Sequence, residues 1–218
     1  MRTLPLPLTL TARLLPVALL AITGWAWTSG PGASPAGHTE SPSGGGATPS
    51  ASATAVAVQT HRKPPEPCDS ISDKTLKSLV PGAKTAGKEL ASTDKSVRRT
   101  CSWNALKGYD YRWLDVTFEI KDDDAAAEKA YKDRIAEKSG GGAVPGLGDT
   151  AYSVVNLTTE DKQETREGVV IARASNALVI VTYNGSDFET KKAPSTDEIN
   201  KGAIKAAKEA VAALEDGQ

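Results

Sequence analysis

Within Tyr111–Ile120 apolar and polar positions alternate from Leu114 to the end. Leu114, Val116, Phe118 and Ile120 fall on one side, and Tyr111, Trp113, Asp115, Thr117 and Glu119 on the other. That period of two predicts a strand with one face on a core. The same reading predicts strands over Arg98–Trp103 and Ala151–Leu157. It predicts a hairpin of Val169–Ala174 and Ala177–Tyr183 around Ser175-Asn176, rich in β-branched residues. Helical spacing appears in three places. Ser72–Val80 has Ser72 as N-cap, with Leu76, Leu79 and Val80 on one side and Pro81-Gly82 as the stop. Asp122–Asp124 opens a helix to about Lys138, with Ala127, Tyr131 and Ile135 on one stripe. Ser195 and Glu198 form a capping box, followed by Ile199, Ala203, Ile204, Ala207, Val211 and Leu214. Thr158–Gly168 reads as a polar connection. Hairpin-linked strands with helices at both ends predict an α+β domain: an antiparallel sheet with helices packed mainly on one face, preceded by a disordered tether.

The N-terminal third has a different pattern. Arg2 and Arg13 precede a 14-residue apolar run, Leu14–Trp27. At about 1.5 Å per residue the run covers about 21 Å, short of the roughly 30 Å hydrocarbon core. Residues 1–27 are therefore expected to be a signal peptide or an N-terminal membrane anchor. Gly24-Trp25-Ala26 and Ser34-Pro35-Ala36 offer small residues for cleavage, and no cysteine lies nearby to carry a lipid. From Thr28 to Val58 every residue except His38, Glu40, Val56 and Val58 is Ala, Gly, Pro, Ser or Thr. Such a stretch cannot bury enough apolar surface to offset its ordering entropy. Residues 28–66 are expected to be a disordered linker, and residues 67–218 a single extracytoplasmic domain.

Composition narrows the function. From Pro67 onward there are 22 Lys and Arg against 25 Asp and Glu, a net charge of −3. No basic excess is present for nucleic acid, and no Lys/Arg cluster for an anionic membrane. Membrane contact is expected only through the N-terminal segment, if it is not cleaved. The cysteines are Cys68 and Cys101. An even pair in an exported segment predicts one disulfide, whose loop closure contributes about 3–4 kcal/mol. A metal site would need further His or Cys ligands in the domain, so no metal and no cofactor is expected. His38 and His61 both fall before Pro67. On that reading the domain has no histidine for Ser-His-Asp, Cys-His or zinc-peptidase chemistry.

A resemblance accompanies these features. Pro67-Cys68-Asp69, a short helix, Cys101-Ser102-Trp103, then Val144-Pro-Gly-Leu-Gly-Asp-Thr-Ala-Tyr152 and the Val169–Tyr183 hairpin occur in that order. Over about Pro67–Leu214 the chain resembles the actinobacterial exported family numbered 3558 among domains of unknown function. The resemblance implies an envelope protein, secreted or tethered to the outer face of the cell membrane. It implies no activity and no catalytic residue. Many of its members carry a lipid on an N-terminal Cys, which this chain lacks.

The remaining chemistry is weighed against plain structural roles. Asp122-Asp123-Asp124 is acidic charge at a helix start before it is a cation site. Asp115 and Glu119 share a strand face, the only hint of a glycosidase-like carboxylate pair. Gly140–Gly148 lacks the Gly-Lys-Ser/Thr of a phosphate loop and precedes a strand rather than a helix. Asn156-Leu-Thr158 and Asn184-Gly-Ser186 match glycosylation sequons, a pattern frequent by chance. Trp103, Tyr109, Tyr111 and Trp113 fall within eleven positions. Either the segment pinned by Cys68 covers them as a second small core, or they form an exposed aromatic surface. Trp103 is expected to be buried near the disulfide and Trp113 at least partly exposed. The candidate binding surface is Tyr111 and Trp113. The expected function is a non-enzymatic envelope module binding a partner protein, a wall polymer or a small ligand. The alternative is an envelope-acting hydrolase using carboxylates.

Overall fold

A computed structural model describes residues 60–217. The expected signal or anchor, and the linker up to residue 59, lie outside the described residues. No described helix is long and apolar enough to cross a membrane. Seven antiparallel strands form one sheet: β1 (Lys88–Glu89), β2 (Arg98–Lys107), β3 (Asp110–Ile120), β4 (Gly142–Ala143), β5 (Thr150–Glu160), β6 (Gln163–Ala174) and β7 (Ala177–Asp187). Their spatial order is β1-β2-β3-β7-β6-β5-β4. The helices are α1 (Asp73–Leu79), α2 (Asp124–Ala136) and α3 (Thr196–Asp216), with a 3-10 turn at Pro67–Asp69. The architecture is the expected α+β one.

The alternation in β3 sorts its side chains as read. Leu114, Val116, Phe118 and Ile120 are buried on the first face, with their cross-strand partners Val181, Val179 and Trp103. α3 lies on this face and buries Ile199, Ala203, Ala207, Ala210, Val211 and Leu214. Its small residues permit close approach: a Cβ on Gly202 would lie 2.6 Å from the Tyr183 ring. Tyr183 in turn donates to the Leu79 carbonyl at 2.8 Å, tying in α1. Ser72 and Ser195 cap α1 and α3 as expected, and Asp123 caps α2. The Asp122–Asp124 run thus finds its role in the helix start.

α2 takes the second face. Tyr131 packs there with Val154, Val169, Ile171 and Leu178. It covers only the part of that face near the β6–β7 turn, and the opposite end stays open.

Two expectations need correction. Thr158–Gly168 is not a polar connection: β5 runs on to Glu160 and β6 starts at Gln163. The turn is Asp161-Lys162, with φ of 47° and 69°, the left-handed pair of a tight hairpin turn. Its strands are polar because both their sides reach water there. The second correction concerns residues 60–66, expected in the linker. His61, Pro64 and Pro67 are buried, a spacing of three that is the period of an extended polyproline chain. Asn176 clamps this strap, accepting from the His61 N–H and donating to the His61 carbonyl, both at 2.8 Å. Glu66 pairs with Arg99. His61 therefore belongs to the folded part.

Burial holds the His61 imidazole below its ordinary pKa, against the opposing pull of Glu215, Asp124 and Asp149. The unfolded chain takes up the proton first. Stability contributed here is complete above about pH 6.5 and falls as the pH drops below it. Thermal midpoints followed from about pH 7.5 to about pH 5 should show this decline, and H61F should flatten it. Parallel curves for the two proteins would contradict the assignment.

Candidate functional site

The open end of the second face is built by register. Cross-strand partners share a face, so residues line up in rows across the sheet. Nearest the β2–β3 turn stand Leu106, Tyr111 and Ser186. The next row is Asn104, Trp113, Asn184, Glu167 and Asn156. Behind it come Ser102, Asp115, Thr182 and Val169, then Thr100, Thr117 and Ile180.

Tyr111 and Trp113 are half-buried. Their rings meet edge to face at 6.3 Å, and Tyr111 also meets Phe188 at 5.9 Å with only 30° between the planes. Leu106, Tyr109 and Phe188 are exposed at 56%, 57% and 46%. Tyr111, Trp113 and Phe188 thus form one aromatic cluster, with Leu106 opposite Tyr111 in the register and Tyr109 joined to Phe188 through the backbone, an apolar surface of the kind that marks interaction sites. The Trp113 Nε1–H donates to the Asp115 carboxylate at 2.6 Å, which fixes the indole. Burial, then the Asp115 charge, push the Tyr111 phenol above its ordinary pKa, so it stays a neutral hydroxyl. Beside Asp115 a groove of about 610 Å³ runs between Leu90–Arg98 and the Thr100, Thr117, Ile180 and Thr182 side chains.

Trp103, the fourth aromatic, is on the first face instead. It is fully buried, and its Nε1–H donates to the Thr85 carbonyl at 2.9 Å. The expected disulfide is present: Cys68 and Cys101 have Cα atoms 5.1 Å apart. It pins the segment before α1 to β2 on that same first face, and so the pinned segment does not cover Tyr111 and Trp113. A second core at those residues is not formed.

The carboxylate pair comes apart. Asp115 and Glu119 are four residues along one strand, about 13 Å at strand rise. Glycosidase carboxyls stand about 5–9.5 Å apart. Glu119 is buried among Lys121, Arg134 and Arg98. Burial acts to raise its pKa, and the three cations outweigh that, leaving it below the ordinary glutamate value. A carboxylate locked in this way joins α2 to the sheet and is a poor general acid. His61, now inside the fold, bonds only through its backbone among the described residues. The glycine loop is also structural: Gly141 lies on the Tyr152 ring and donates to its hydroxyl at 3.0 Å.

Sequence spacing brought Tyr111 and Trp113 together. It did not bring in Phe188, Asn184 or Glu167, because the β3–β7 neighbours are far apart in the chain, nor Asn104, which needs the register of the β2–β3 hairpin. The Asn184-Gly-Ser186 triplet was visible only as a sequon.

No family model and no curated protein matches the chain. Two solved structures do. One is the extracellular domain of PknH from Mycobacterium tuberculosis, at 10% identity and a TM-score of 0.38, covering 67% of this chain and 92% of that one. The other is a protein from Bacteroides thetaiotaomicron VPI-5482, at 10% identity and a TM-score of 0.31. The match covers 51% of this chain and spans half the length of the Bacteroides structure. Likenesses this distant assign neither family nor ligand.

Proposed function

We propose that this chain is an exported, non-enzymatic envelope module that holds its partner on the aromatic end of the second sheet face. The observation that carries the reading is the apolar surface of Leu106, Tyr109, Tyr111, Trp113 and Phe188, which lies beyond the part of that face that α2 covers. Catalysis through carboxylates has no comparable support, given the spacing of Asp115 and Glu119. Export is supported by the disulfide, which persists in oxidising compartments, and by the signal-like N-terminus. Membership of the family numbered 3558 is part of the same proposal and rests on the ordered motifs.

The strap adds an orientation. The linker enters at His61, which is clamped by Asn176 at the β6–β7 turn. Phe188 stands just past the other end of β7, twelve residue steps from Asn176. At about 3.4 Å per step the two lie about 40 Å apart along the strand. The patch therefore lies at the far end of the strand from the strap.

Full-length protein and its Trp113→Ala variant, used as baits in envelope extract, test the reading. The wild type should capture a partner and the variant should not, with thermal midpoints that stay close. Equal capture by both would remove this face as the binding site.

A further inference from the structure

Resting on the reading above, we propose that the row Asn104–Trp113–Asn184–Glu167, together with Tyr111 and Phe188, is a subsite for a neutral carbohydrate. The row has the two kinds of group that sugar rings need. Aromatic faces take the apolar C–H side of a ring, and amides and carboxylates take its hydroxyls, as donors and acceptors respectively. Asn104 and Asn184 flank Trp113 as its register partners on the two neighbouring strands, about 5 Å to either side. Asn104 is exposed and Asn184 and Glu167 half-buried. None of the three side chains has a hydrogen-bond or ionic partner among the described residues. The indole between them is held in place by Asp115, so little order is lost when a ligand binds.

Charge and topology exclude competing ligands. The ionised groups on this face beside the row are carboxylates, Asp115 and Glu167. The nearby arginines point to the other face, Arg112 to Asp110 and Glu198 and Arg166 to the Pro194 carbonyl. A phosphate-bearing polymer would meet repulsion without a cation to pair with. An added peptide strand needs free backbone groups at a sheet edge. Here β3, β7 and β6 are paired on both sides and only β2 has an open outer edge, β1 meeting it at Cys101 and Ser102 alone, so recognition at Trp113, Asn184 and Glu167 is confined to side chains. A neutral polyhydroxylated chain fits what remains.

Full-length protein is titrated with neutral hexasaccharides of glucose, mannose, galactose or N-acetylglucosamine, with tryptophan emission as readout and polyphosphate as the anionic arm. A saturable change with at least one hexasaccharide and none with polyphosphate is expected. N104A and N184A should each weaken binding about tenfold, as for polar anchors at a hot spot. Both positions reach water, so these variants should keep the wild-type midpoint even if W113A does not. No binding to any hexasaccharide, or equal binding by N104A and N184A, overturns the proposal. Should saccharides fail while envelope material is still captured through Trp113, the carbohydrate assignment falls and the binding face stands. If W113A captures as well as wild type, both fall.

Discussion

Trp103→Ala should lower stability by about 3–5 kcal/mol, the cost of truncating a fully enclosed aromatic. Its indole is wrapped by the chain on several sides and its N–H is spent on the Thr85 carbonyl. Gly87 has a φ of +62°, and a Cβ there would come within 2.5 Å of the indole and 2.6 Å of Cys101 Sγ. The wall over the ring is therefore set by a residue without a side chain, and it is poorly placed to collapse into a void. Domains of this size have about 5–15 kcal/mol in total, so the variant should unfold at markedly lower urea. A loss below about 1 kcal/mol in urea titration would mean that Trp103 is not the packing centre of that corner.

Loss of the disulfide is the second large effect. Cys68 and Cys101 close a loop with a sequence separation of 33. Replacing both by serine should cost about 3–4 kcal/mol, chiefly by freeing the unfolded chain. The strap, α1 and Trp103 all meet at this point, so the effect should not simply add to that of Trp103→Ala. A double-mutant cycle in urea would measure the coupling. An unchanged midpoint for the Cys68→Ser/Cys101→Ser protein would show that the segment before α1 is held by packing alone.

How far the sequence could be read depends on whether the signal was local. The β3 alternation, the caps at Ser72 and Ser195 and the Ser175-Asn176 turn are local patterns, and each appears where expected. Asp161-Lys162 was missed because neither residue is a glycine, although both adopt positive φ. The two-residue strands β1 and β4 carry no periodicity at all. His61 was placed in the linker because its neighbours are polar and proline-rich, and a three-residue burial period resembles neither helix nor strand. The aromatic surface was half legible. Tyr111 and Trp113 follow from one strand's alternation. Phe188 and Asn184 depend on β7 lying beside β3, which brings Asn184 opposite Trp113 although the two are far apart in the chain, whereas Asn104 needs only the register of the local β2–β3 hairpin.

The central claim is that Trp113 binds whereas Trp103 supports the fold. The most direct test measures Trp113→Ala twice, for urea stability and for capture of envelope partner by the full-length protein. Trp113→Ala should lose about 1 kcal/mol or less of stability, as for a side chain that already reaches water, together with loss of capture. A loss of about 3–5 kcal/mol with capture retained by the remaining folded protein would contradict it, because Trp113 would then be core.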